Sequence, residues 1–88
     1  MDSLDLVEIS MEFERDFSVD IPDEEMAVLR RGTAADLWRL IVRLRTGTEP
    51  PVGPPPPGDA TWLRLRHGLA RVLGRPLDDI GPDLPLST

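Results

Sequence analysis

The sequence predicts an all-α fold, a small four-helix bundle, and three observations carry that expectation. Apolar residues recur at spacings of three and four in three long segments, and no segment alternates with the period of a strand. Helix start and stop residues flank these segments. A single proline- and glycine-rich interruption over residues 46–59 separates the last helix from the others. With 88 residues there is room for one domain and one modest core, because a chain this short buries only about 60–65% of its unfolded surface.

In "SLDLVEISMEFERDF", Leu6, Ile9, Phe13 and Phe17 mark one face of an amphipathic helix over residues 3–17, with Asp2 at the N-cap position and Asp5 three residues on. "SVDIP" is a turn with Ile21 as a plug. Pro22 followed by three acids then starts a short helix over residues 23–29. Gly32 and Thr33 end it, and Thr33 with Asp36 forms a capping box with the shorter acid. The helix so opened carries Leu37, Leu40, Ile41 and Leu44, with Arg39, Arg43 and Arg45 toward the end where the macrodipole favours cations. "TGTEPPVGPPPPGD" cannot be helical and predicts a solvated, partly polyproline linker of roughly 3 Å per residue. Helical spacing returns through Trp62, Leu65, Leu69, Val72 and Leu73, with Gly74 as C-cap. "RPLDDIGPDLPLST" is an extended loop whose Leu77, Ile80, Leu84 and Leu86 are candidate core plugs.

Charge and composition exclude several functions. The formal net charge is −6, and residues 1–25 hold ten acids against Arg15 alone, so a nucleic-acid partner is not expected and a basic protein partner is. The absence of cysteine rules out disulfides and means that any thiol chemistry must be imported. No apolar run approaches the roughly 18 residues of a membrane span, and no signal peptide precedes the acids, so no membrane association and a cytoplasmic location are the expectation.

The order of the pieces is informative. "DSLDLVEISMEFERDFSVDIPDEEMAVLRRGTAADLWRLIV" resembles the second, third and fourth helices of an acyl carrier protein, beginning at that family's Asp-Ser-Leu motif. "WLRLRHGLARVLGRPLDDIGPDLPLST" is similar to the family's first helix and the loop that normally precedes the motif. The chain therefore resembles a circularly permuted acyl carrier protein, with helices 2 to 4 in residues 1–45, a linker in 46–59, and helix 1 with its loop in 60–88. One departure is that the family's acid-Leu-Gly turn before the motif is missing, with Met1 alone in its place. The loop is accordingly expected to be held by the packing of Leu84 and Leu86 alone.

The resemblance implies a carrier and not an enzyme. Ser3, flanked by Asp2 and Leu4, would bear a 4′-phosphopantetheine arm donated by coenzyme A through a phosphopantetheinyl transferase. The arm would hold acyl intermediates as thioesters for acyl-loading and condensing enzymes of fatty acid or polyketide biosynthesis. The residues themselves agree in part: a serine in the first turn of a helix presents its hydroxyl at the positive end of the macrodipole, favourable for a phosphodiester anion. The plainer reading is an N-terminal cap. A self-activated nucleophile is not expected, since the lone His67 lies on another helix without an acid neighbour in sequence.

The helical wheel supplies a separate indication. At about 100° per residue, Leu4, Val7 and Met11 form a second apolar stripe away from the core face, bordered by Asp5, Glu8 and Glu12. A core needs one stripe, and the second suits docking to a basic groove. The competing reading is that the helix over residues 23–29 covers it. Asp23, Glu24 and Glu25 lack the spacing of a calcium loop and are explained as helix-start charge. Asp78, Asp79 and Asp83 are explained by loop solvation. Trp38 and Trp62 are expected in packing roles.

A linker of about a dozen residues at roughly 3 Å each reaches across a small domain, so closure within one chain is allowed and a monomer is expected. The alternatives are a helix-swapped dimer, which the stiff proline run favours, or two parts of neighbouring carrier domains in a tandem array. For function, the alternatives are a peptidyl carrier domain, which would load an amino acid on the same Ser3, and an unmodified helical adaptor that only binds a partner.

Overall fold

The computed structural model describes residues 3–86, with side chains from Val7 onward; Asp2, the expected N-cap, lies outside them. Among the described residues there are four α-helices and no strand: α1 (Ser3–Phe17), α2 (Asp23–Leu29), α3 (Ala34–Thr46) and α4 (Ala60–Leu73), followed by a short 3-10 turn at Leu77–Asp79. The four helices are those the periodicity predicts. The 3-10 turn was not signalled, because three residues are too few to show a period.

Helix α1 buries Ile9, Phe13 and Phe17. It ends at Ser18, whose φ of 54° is left-handed, and the Val19 N–H donates back to the Glu14 carbonyl at 3.2 Å, the wrapped ending that leaves fewer helix carbonyls unpaired. The Glu14 carboxylate also accepts the Ile21 N–H at 3.1 Å, which seats Ile21 in the core. Extended Pro22 precedes α2, whose first turn carries Asp23, Glu24 and Glu25. At the start of α3, the Asp36 carboxylate accepts the Thr33 backbone N–H at 2.9 Å. Its end is Gly47 at φ 75°.

The segment 46–59 is bound more closely than its composition implies. Arg39 donates to the Pro51 carbonyl at 2.7 Å and to Glu49 at 3.0 Å, and Pro55 is buried. At its end Asp59 does two jobs. Oδ1 accepts the Trp62 N–H at 2.9 Å, capping α4, and the Trp38 indole N–H at 3.0 Å, bolting the start of α4 to α3. Most of the segment is exposed, as a solvated linker would be, and the arginine and the aspartate fasten it to the bundle surface at two places.

Helix α4 lies along α1. Its buried residues are Trp62, Leu65, Gly68 and Leu69, and Gly68 is where the Phe13 ring comes against the α4 backbone. Arg71 pairs with Glu12 and lies 3.6 Å from Asp16, while Arg64 donates to the Asp16 carbonyl at 2.6 Å. Gly74 ends the helix at φ 65°.

The tail loop places Ile80 and Leu86 in the core, fully buried, with Leu84 packed against it. Packing is not its only restraint. Arg66 donates to the carbonyls of Ile80 and Leu77 at 2.8 and 2.9 Å. The Ala34 and Ala35 N–H groups donate to the carbonyls of Leu84 and Pro82 at 2.8 and 3.0 Å, and Leu86 N–H donates to the Gly32 carbonyl at 3.0 Å. Amides that the first turn of α3 leaves unpaired are thus satisfied by the loop. The expectation that Leu84 and Leu86 act alone is corrected by these backbone bonds.

Candidate functional site

The wheel of α1 becomes three strips in space. Ile9, Phe13 and Phe17 face the core, and on the far side Val7 and Met11 are 48% and 59% exposed, with Glu8 exposed between them. Helix α2 therefore does not cover the second stripe at these two residues. The third strip faces α4. Glu12, expected on the outward border, sits there with its side chain 24% exposed, paired with Arg71 and 3.8 Å from Arg15. Sequence reasoning missed this commitment because Arg71 is on another helix. Among the described side chains, Glu8 is the border acid left open to solvent on the stripe itself.

Ser3 is the first residue of α1. Its side chain, with those of Leu4 and Asp5, lies outside the described side chains, as does Asp2. Backbone position alone still constrains the site. Ser3, Val7 and Met11 are four apart, close to one turn each, so they fall along one row spanning about 12 Å of helix axis. A phosphodiester at the first position of α1 would meet the unpaired N–H groups and positive pole of the helix. The apolar row leading from Ser3 would lie beside whatever approaches that end of α1.

The core beneath α1 is closed. Between Ile9, Ile21, Met26, Leu29, Leu37 and Leu86 there is no room for a water molecule. His67 is exposed on α4, and Trp38 and Trp62 are both buried in packing roles. Glu25 is paired with Arg43 at 2.7 Å. Among the described residues no group of three or more His, Cys, Asp or Glu is placed to hold a metal ion, and no described helix is long and apolar enough to cross a membrane.

No protein-family model matches the chain, and no solved structure matches it at a significant level.

Proposed function

We propose that the chain is a carrier domain that holds acyl intermediates as thioesters on a 4′-phosphopantetheine arm at Ser3. The observation that carries this reading is the pairing of a helix-opening Ser3 with an uncovered apolar row, Val7 and Met11, on a helix whose opposite face is clamped by α4. In the attachment step the Ser3 hydroxyl oxygen forms the new phosphodiester bond to phosphorus, the pyrophosphate bond of coenzyme A breaks, adenosine 3′,5′-bisphosphate leaves, and the hydroxyl proton passes to a base of the transferase. The arm supplies the thiol that a chain without cysteine lacks. Val7, Glu8 and Met11 give a transferase or acyl-loading and condensing enzymes a small apolar contact with a carboxylate at its rim. The closed core implies that an acyl group rides outside the bundle unless α1 and α2 part.

The reordering of the family's helices, with α4 standing for the first, belongs to the same proposal. The bond network from Arg66 and the tail loop to α3 supports it by offering a way to close such a chain on itself.

The test is the intact mass after incubation with coenzyme A and a broad-specificity phosphopantetheinyl transferase. Addition of one phosphopantetheine, lost in Ser3→Ala, supports the carrier. No addition to a folded protein supports the unmodified adaptor, which the same exposed row of α1 would also serve. Loading of an amino acid in preference to an acyl group would assign the peptidyl type.

A further inference from the structure

Charge is segregated in this chain. Residues 1–25 hold ten of the sixteen acids, whereas nine of the ten arginines follow residue 25. Several of those arginines converge on one concavity between α2 and α3, an open groove of about 810 Å³ lined by Val28, Arg31, Arg39 and Arg43 among others. Val28 is 66% exposed there, an apolar side chain among guanidinium groups. Acids line the groove too: Arg43 is held by Glu25 at 2.7 Å and Arg39 by the linker's Glu49 at 3.0 Å, which leaves the exposed Arg31, beside Val28, as the guanidinium turned to an incoming carboxylate.

The same molecule carries the complementary surface, the Val7 and Met11 stripe with Glu8 at its border, and the two share no residue. We infer that the α2–α3 groove is a docking site for α1 of a second copy of this chain, with Met11 against Val28 and Glu8 against Arg31. Two different patches meeting in this way form a heterologous, head-to-tail contact. The contact occludes the α1 stripe, so association withholds that face from other partners. It is small, and therefore weak and transient. It does not depend on modification of Ser3, so it stands or falls separately from the carrier reading.

The test uses the unmodified full chain in sedimentation velocity from about 0.05 to about 1 mM, the range in which small contacts of this kind are populated. Wild type is expected to gain mass with concentration. A groove variant, Val28→Ser with Arg31→Gln, and a stripe variant, Met11→Ser with Glu8→Gln, are each expected to stay monomeric. Both change exposed residues, and circular dichroism verifies their folding. Mixed in equal amounts, they are expected to form a one-to-one dimer that grows no further, since each retains one intact half. Wild type that remains monomeric at the highest concentration would overturn the inference. So would self-association of either variant to the wild-type extent, which indicates a symmetric contact through one patch, or failure of the mixture to associate.

Discussion

Replacing Gly68 by alanine tests the contact that closes the bundle. Gly68 lies in the interior of α4, where alanine is favoured over glycine by about 1 kcal/mol on helix propensity alone. A Cβ at this position would stand 2.6 Å from Phe13 Cε1 and 2.9 Å from Cζ, against an ordinary contact that begins near 3.4 Å. Restoring that contact requires the ring to retreat by roughly 0.8 Å. Phe13 is fully buried and packs on Phe17 with centroids 5.9 Å apart. Phe17 in turn lies under the guanidinium groups of Arg64 and Arg45, at 4.6 and 5.4 Å. Inserting a methyl group into such a site costs about 1–3 kcal/mol, and subtraction of the propensity gain leaves a net loss of about 0–2 kcal/mol. For a domain of this size each kcal/mol corresponds to about 4–8 °C in Tm. The assay is thermal and urea unfolding of Gly68→Ala in the wild-type background and in Phe13→Leu, where the two offending ring atoms are gone. The substitution should be neutral to destabilising in the first background and stabilise the second by about 1 kcal/mol, a coupling of about 1–3 kcal/mol. Equal stabilisation in both backgrounds would refute the reasoning, because α4 would then not lie against α1 at this point.

Two further substitutions probe the ends of helices. Ser18→Gly should stabilise the fold by about 0.5–1 kcal/mol, because the left-handed φ of 54° is strained for serine and free for glycine; a Tm unchanged or lowered would show that the turn after α1 is not held there. Asp59→Ala should lose about 2–4 kcal/mol in urea unfolding, about 1 for the missing cap and the rest for a buried indole N–H left without an acceptor, while Asp59→Asn, which keeps an oxygen at the same place, should lose about 1 kcal/mol or less. An alanine variant as stable as the asparagine one would mean that Asp59 does not join α3 to α4.

What the sequence disclosed divides along the distance between cause and effect. The limits of α1 and α2, the arginines late in α3 and the glycine ends at Gly47 and Gly74 follow from neighbours within a turn or two, and periodicity and capping residues expose them. The outward direction of Val7 and Met11 is equally local, a consequence of the angle between successive residues. Asp59 is instructive because it has both kinds of role. Its capping of α4 spans three residues and agrees with ordinary N-cap chemistry, whereas its bond to Trp38 spans 21 residues and no pattern marks it. The pairing of Arg71 with Glu12 spans 59 residues and turns an acid expected at the docking border toward another helix. The linker is non-helical and largely exposed, as its composition predicts, but proline content says nothing of Arg39 reaching across to hold the Pro51 carbonyl.

These long-range contacts also separate closure from function on α1. The helix is fastened to α4 through Phe13, Glu12 and the carbonyl of Asp16, all on two adjoining strips, and Val7, Glu8 and Met11 take no part in that fastening. A residue that contributes little to burial can change without unfolding the domain, since surface substitutions away from caps and buried bonds usually fall within about 0.5 kcal/mol. Selection on the exposed strip is then free to follow a partner, while selection on the other two is bound to the core. The exposed Val7 and Met11 are thus the part of α1 that the proposed docking would use, and their replacement tests it without disturbing the contacts that hold α1 to α4.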